Sequence, residues 1–251
     1  MKIGIIGVGK LATAIVGGLI KTNKADEIVL SPRNKTNSQL LSRRYKHVRV
    51  AKDNQAVADE CDWVFLTLPP SVATHEIQKL TFSKETSVIS CIATLPHTEC
   101  QKLIGDTVPV YKAFPLPSIS HCDGPLAYYP CDAMIKPFLA GMGELFPCKD
   151  ENAFRPLAAI TSLIASHYAV QNTLQNWLVK NDIEPKVARN YLNDLTSSVT
   201  HLARQTEVDF NELIQSASTS QGLNEQAMKM LSEQGICRDI EATLDSIISR
   251  L

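Results

Sequence analysis

The amino-acid sequence predicts an α/β domain followed by an all-helical one, and three observations carry that expectation. The apolar residues Ile3, Ile5 and Ile6 run straight into a glycine turn, which runs straight into the helical pattern Leu11, Ala14, Ile15, Gly18 and Leu19. Further short apolar runs recur as far as Tyr129, of the kind found in strands covered on both faces. From Cys131 onward strand signals cease and long helical patterns take over. The composition shift near Asp150 sets the expected domains at residues 1–151 and 152–251.

The turn itself, Gly7-Val8-Gly9-Lys10-Leu11-Ala12, matches G-x-G-x-x-A. In that pattern Gly7 permits the tight turn, Gly9 lets a pyrophosphate approach the backbone, and Ala12 keeps the helix close to its strand. The first helical residues, Lys10 and Leu11, offer unpaired N–H groups at the positive end of the helix dipole. Strand, turn and helix in this order read as the opening of a Rossmann-like dinucleotide-binding domain, against the blander alternative of a glycine turn in some other α/β protein.

Glu27–Leu30 reads as the second strand, and its end is where such folds choose between the two nicotinamide dinucleotides. The residues there, Ser31-Pro32-Arg33-Asn34-Lys35, include no acid to accept from the ribose hydroxyls of NAD. Ser31 and Arg33 suit the extra phosphate of NADP, with Lys35 adding charge, so NADP is the expected cofactor. Val48–Val50 is a short third strand, followed by a capped helix around Asp53–Asp59. The strongest later strand, Asp62–Leu68, stops at Pro69-Pro70, because proline cannot continue the ladder. Thr67, Leu68 and Pro69 are therefore expected at the carboxyl edge of the sheet, beside the cofactor. Ser87–Ile92 is a fifth strand, with Ser90 and Ala93 at the same edge and Thr94 and Pro96 placed to cap and start a helix. Val108–Phe114 and Gly124–Tyr129 read as two more strands. The connector between them is a candidate for the substrate mouth, and its His121, Cys122 and Asp123 read as an ordinary polar loop.

Composition narrows the function classes. The 251 residues hold 25 lysines and arginines against 26 aspartates and glutamates, which points to no polyanionic partner such as nucleic acid. No apolar run approaches a membrane span, and the first residues enter a core strand rather than a basic region and a cleavable segment. A cytoplasmic protein is the expectation. The seven cysteines form no C-x-x-C pair, so reduced thiols are expected, with no metal site.

In the helical part, Ala153–Lys180 carries apolar residues at roughly helical spacing, and a second helix starts near Pro185 and includes Val187, Tyr191, Leu195, Val199 and Leu202. Shorter helices are expected over Asp209–Ala217, Leu223–Gln234 and Arg238–Ser249, with Gly235 closing the second of them. About a hundred residues of helix are few for a self-sufficient core. Wide apolar faces on so small a domain suit a homodimer interface or packing within the subunit.

The order of these parts resembles the pyrroline-5-carboxylate reductases over essentially the whole chain. MKIGIIGVGKLATAIVGGLIK looks like the family's opening, and Ser31-Pro32-Arg33 matches its NADP-reading positions. Thr67-Leu68-Pro69-Pro70 stands where the family has Lys-Pro-Gln, and in Val110–Pro117 Leu116 replaces the asparagine of Met-Pro-Asn. Ser90-Cys91-Ile92-Ala93-Thr94 resembles the family's next strand end. Leu163–Tyr168 keeps only the tyrosine of Gly-Ser-Gly-Pro-Ala-Tyr, and Thr219–Glu225 stands for the substrate-binding Thr-Ser-Pro-Gly-Gly-Thr-Thr. The departures fall mostly on the substrate side. The resemblance implies NADPH-dependent reduction of a C=N bond, with pyrroline-5-carboxylate to proline as the first candidate and a dimer joined through the helical domain. Ser220 and Asn224 are then candidates to bind a substrate carboxylate, with simple helix capping as the alternative. Tyr168, with His167 beside it, is a candidate hydrogen-bonding or proton-donating group, with a place in the core as the alternative. A reductase of another imine or a ketone, and a non-catalytic NADP-binding protein, fit the altered substrate side as well.

Overall fold

The computed structural model describes residues 1–251, in two compact units: 1–161 with 250–251, and 162–249. The first unit is α/β and the second is all helix, the class expected from the sequence.

The first unit is built on strands β1 (Lys2–Ile6), β2 (Glu27–Leu30), β3 (Val48–Val50), β4 (Trp63–Leu66), β5 (Ser87–Ser90), β6 (Val110–Phe114), β7 (Pro125–Tyr129) and β8 (Glu144–Pro147). They form one sheet in the order β3-β2-β1-β4-β5-β6-β7-β8, parallel except where β6 meets β7. Its helices are α1 (Lys10–Lys21), α2 (Lys35–Arg44), α3 (Asn54–Glu60), α4 (Pro70–Ile77), α5 (His97–Ile104), α6 (Ile135–Leu139) and α7 (Glu151–Thr161). The order reverses between β1 and β4, so the chain leaves these neighbouring strands toward opposite sides and opens a crevice at their carboxyl ends.

Alternation along β1 divides the core. Ile3 and Ile5 face a cluster that includes Ile15 and Leu19 of α1, and Trp63 stacked on Phe138 at 4.0 Å. Ile6 faces the other cluster, with Val64, Leu66 and Val88 beneath α3, α4 and α5. Helix α1 also packs on a 3₁₀ turn, Pro117–His121, so closely that a Cβ on Gly18 would lie 2.6 Å from the Ile119 carbonyl. The 3₁₀ turn of the 115–123 connector thus covers α1, with the Cys122 Sγ 3.9 Å from the Gly18 carbonyl.

Three corrections concern boundaries. Strand signals do not end at Cys131, since β8 pairs parallel with β7 in the register Leu126↔Leu145. Its four residues form a largely exposed edge ending in a proline, which leaves neither an apolar run nor an alternation to read. Helix α5 starts at His97 with Pro96 as its cap residue, and Thr94 lies in the preceding turn. The Ala153–Lys180 pattern is two helices, α7 and α8 (Ile164–Lys180). Asp150 caps α7 by accepting from the Ala153 N–H at 2.7 Å, and Phe154 packs edge-on against Phe114 with Ala127 and Cys148 nearby. This helix belongs to the sheet, so the chain divides ten residues beyond the expected 151/152 boundary.

The second unit continues with α9 (Pro185–Arg204), α10 (Phe210–Ala217), α11 (Leu223–Glu233) and α12 (Ile236–Ile248). Only Ala188 and Leu192 are buried in these five helices.

Candidate active site

The carboxyl ends of β1, β2 and β4 wall a cleft of about 530 Å³ with three segments, Gly7–Gly9, Arg33–Thr36 and Thr67–Pro69. The first is the glycine turn. Gly7 has φ +101°, and an added Cβ would meet the Thr67 backbone at 2.8 Å, so only glycine fits. The Thr67 hydroxyl donates to the Gly7 carbonyl at 2.7 Å, and Asn37 Nδ2 donates to the Val8 carbonyl at 3.0 Å. The turn is therefore pinned from β4 and from α2.

Gly9 differs from Gly7. Its φ of −93° suits any residue, and a Cβ there would meet nothing within 4 Å. Nothing in the protein requires position 9 to be small, and the cleft into which it opens does so only once a ligand approaches the backbone. Behind it, α1 has no side-chain cap and no acidic residue in its first turn. A helix start left in that state presents free N–H groups and a positive dipole end, which is the requirement of a pyrophosphate. These residues fit a dinucleotide.

The sequence-derived cofactor set is divided by the structure. Gly7, Gly9, Arg33, Thr67, Leu68 and Pro69 share the cleft wall, and Lys10 and Leu11 form the first turn of α1, with Leu11 packed against the core. Ser31 does not reach the surface: it is 1% exposed, and its hydroxyl accepts from the Gly7 N–H at 2.9 Å. Its fixed use is to hold the glycine turn, because β2 pairs directly with β1. Ser90 is also buried, with its hydroxyl accepting from the Ile92 N–H at 3.4 Å, and Ala93 lies in the next turn outside this cleft's wall. Asn34, Lys35 and Thr36 do line the cleft. Asn34 caps α2 by accepting from the Asn37 N–H at 3.2 Å, which leaves exposed Arg33, Lys35 and Thr36 at that helix start. Their signal lay in Asn34 as an N-cap residue, which marks a helix from residue 35.

The substrate-side residues all belong to the helical unit, and they occupy two places. Tyr168 is 68% exposed on a groove of about 550 Å³ between α8 and α9. His167 lies edge-on to it at 5.9 Å, and Arg189 and Arg204 add positive charge to the lining. Neither aromatic ring is in a core. Ser220 and Asn224 do not line this groove. Ser220 sits in the α10–α11 turn and Asn224 in the first turn of α11, where Asn224 Nδ2 donates to the Ala217 carbonyl at 3.0 Å and the Gln221 N–H donates to Glu225 Oε2 at 2.7 Å. Asn224 thus ties the end of α10, while Glu225 places a carboxylate at the start of α11. Ser220 remains exposed in that turn.

Burial pushes the Cys61 and Cys91 thiols up to about 12, away from a nucleophilic thiolate.

Comparison with known proteins agrees with this architecture. Residues 2–94 match the family described as NADP oxidoreductase coenzyme F420-dependent. A pyrroline-5-carboxylate reductase of Corynebacterium melassecola is 23% identical over 251 residues, covering 93% of this chain and 91% of its own. Among solved structures, 1-pyrroline-5-carboxylate reductase of Streptococcus pyogenes superposes with a TM-score of 0.88 at 21% identity, over 100% of this chain and 97% of that one. Pyrroline carboxylate reductase of Plasmodium falciparum, solved with NADP bound, gives 0.88 at 14% identity, over 100% and 96%. In sequence the chain is similar to a pyrroline-5-carboxylate reductase over 93% of its length, and its fold is that of the solved pyrroline-5-carboxylate reductases.

Proposed function

We propose that this protein is an NADPH-dependent reductase acting on the C=N bond of a small cyclic imine, with the imino acid pyrroline-5-carboxylate as first candidate substrate and proline as its product. The observation that carries the reading is Gly9, small without any need inside the protein, set at an uncapped helix start. When bound, the dihydronicotinamide supplies the hydride. The chain's own work is to bind and orient. The backbone at Gly9, Lys10 and Leu11 holds the pyrophosphate, and Arg33 with Lys35 and Thr36 takes the additional phosphate. Thr67 keeps the turn in place from beneath through its bond to the Gly7 carbonyl. An imine nitrogen already protonated in water needs no proton from the protein, so positioning dominates the demand on the site. The Tyr168 hydroxyl is the exposed hydrogen-bonding group we assign to the substrate, and Ser220 and Asn224 are assigned to its carboxylate.

Glu225 supports a second reading. A carboxylate at the start of α11 neutralises the helix end that a substrate carboxylate would use, which favours an imine or ketone lacking that group. The decisive assay follows NADPH oxidation with pyrroline-5-carboxylate, uncharged cyclic imines and ketones. Turnover of the imino acid, with a raised KM in Ser220→Ala/Asn224→Ala, supports the first reading. Turnover of ketones alone rejects C=N reduction, and cofactor binding without any turnover leaves a binding protein.

Cofactor preference is tested at Arg33. Its side chain is exposed, so a charge-assisted contact to phosphate is worth about 1.5 kcal/mol after screening by solvent. Arg33→Ala is expected to weaken NADPH about tenfold and leave NADH unchanged. Calorimetric titration showing equal losses for both cofactors would remove Arg33 from this role.

The helical unit, with its apolar residues outward, is proposed to join two copies of the chain in a homodimer.

A further inference from the structure

The turn that follows β5, residues 91–96, lies at the carboxyl edge of the sheet next to β4, and a single buried cation holds it from within. Lys112 in β6 is 2% exposed, and its Nζ donates to the Leu95 carbonyl at 2.7 Å and to the Ala93 carbonyl at 3.4 Å. Glu151, the first residue of α7, sets Oε1 3.8 Å from the same Nζ and accepts from the His97 N–H at 2.6 Å. The Phe154 ring faces the ammonium, 5.5 Å away at its centroid. Burial lowers the pKa of Lys112 and Glu151 opposes that shift.

The sheet has no need of a cation at this position. Strands β5 and β6 are already paired through Val88↔Val110, Ile89↔Tyr111 and Ser90↔Lys112, and an apolar side chain of similar length avoids the desolvation cost of a buried ammonium. What the cation adds is a hold on two carbonyls of a turn that lies beyond the ladder. A trans peptide sets its N–H opposite its C=O. With the Ala93 carbonyl turned inward, the Thr94 N–H is directed away from Lys112, and Thr94 is exposed.

We propose that Lys112 is a positioning residue for the dinucleotide: it fixes the 91–96 turn so that the outward peptide face at Ala93–Thr94 is preformed for the bound cofactor. The inference rests on the reading of the cleft as an NADPH site. It gives Ala93, which lies outside the cleft wall, a contact with the cofactor through its backbone rather than through its methyl side chain.

The test combines amide hydrogen exchange of the nucleotide-free protein with calorimetric NADPH titration of the unmodified chain, Lys112→Met, Lys112→Arg and Glu151→Gln. In Lys112→Met, exchange in residues 93–97 is expected to rise and NADPH affinity to fall about tenfold. Lys112→Arg, which keeps the charge and the donors, is expected to restore both. If Lys112→Met does not fold, Glu151→Gln decides: it keeps an acceptor for the His97 N–H but leaves the buried cation without its counter-charge, and the same two changes are expected on a smaller scale. Unchanged exchange and affinity in the folded variants, with a shift in thermal midpoint only, overturn the proposal and reduce Lys112 to a stabilising role. NADPH binding by the unmodified chain together with equal binding by the variants rejects Lys112 alone, whereas failure of the unmodified chain to bind NADPH rejects the cleft reading and this inference with it.

Discussion

Gly9→Ala is expected to leave the protein folded and to weaken NADPH binding about a hundredfold, a loss of ~2.7 kcal/mol. The separation of the two effects follows from geometry. The backbone at position 9 is extended, a conformation alanine adopts without strain, and the new Cβ meets no protein atom within 4 Å. Loss of glycine as the cap residue of α1 costs a few tenths of a kcal/mol or more, and the stiffer unfolded chain returns a similar amount, so stability should hold to within ~1 kcal/mol. The methyl group instead occupies the space over the first N–H groups of α1, which a pyrophosphate must approach closely. Gly7 cannot serve for this test, because there the Cβ would collide with Thr67 and the positive φ would strain any other residue. Thermal unfolding and calorimetric titration on Gly9→Ala check the two halves separately. Unchanged NADPH affinity would show that the glycine turn is a structural feature only, and would remove the main support for the proposed function.

How far the sequence reached depended on whether the signal was local. The β1–turn–α1 unit was legible because each of its residues meets a local demand: apolar at Ile3, Ile5 and Ile6, positive φ at Gly7, helical spacing from Leu11. β2 and β3 were legible to the residue for the same reason. β8 was not, since an exposed edge strand of four residues owes its existence to the register of β7. The α7–α8 break was missed because no glycine or proline marks Ser162-Leu163, and the switch of packing partner from sheet to helices leaves the apolar spacing intact. Site residues follow the same division. Arg33 reaches the cleft as its place after β2 suggests, whereas Ser31 and Ser90 sit at the right strand ends with side chains turned inward. Strand position alone does not tell which face a hydroxyl takes. Asn37 was invisible for a further reason: its bond to Val8 spans 29 residues and joins two elements that only the fold brings together.

Sedimentation of the full chain is expected to show a dimer, and its unfolding to depend on concentration. Helices α8, α10, α11 and α12 contain no buried residue, and α9 buries only Ala188 and Leu192. Isolated helices as short as α10, α11 and α12, 8 to 13 residues long, are marginal in water, so tertiary packing has to supply their stability. Yet the large apolar side chains point outward: Trp177 is 61% exposed, Phe210 78% and Leu223 84%, alongside Tyr191, Leu195, Val199 and Leu202. Covering one such side chain fully contributes about 2 kcal/mol. Several covered together exceed the cost of association, which is of the order of 10 kcal/mol. A second copy of the chain offers the same outward faces and, by two-fold symmetry, closes them in one step. If folding of the helical unit is coupled to that association, tenfold dilution should lower the apparent stability by ~1.4 kcal/mol, the value of RT ln 10 for a bimolecular step. A monomer at micromolar concentration whose denaturation midpoint does not move on dilution would show that these faces are stable without a partner copy, and would remove the dimer from the proposal.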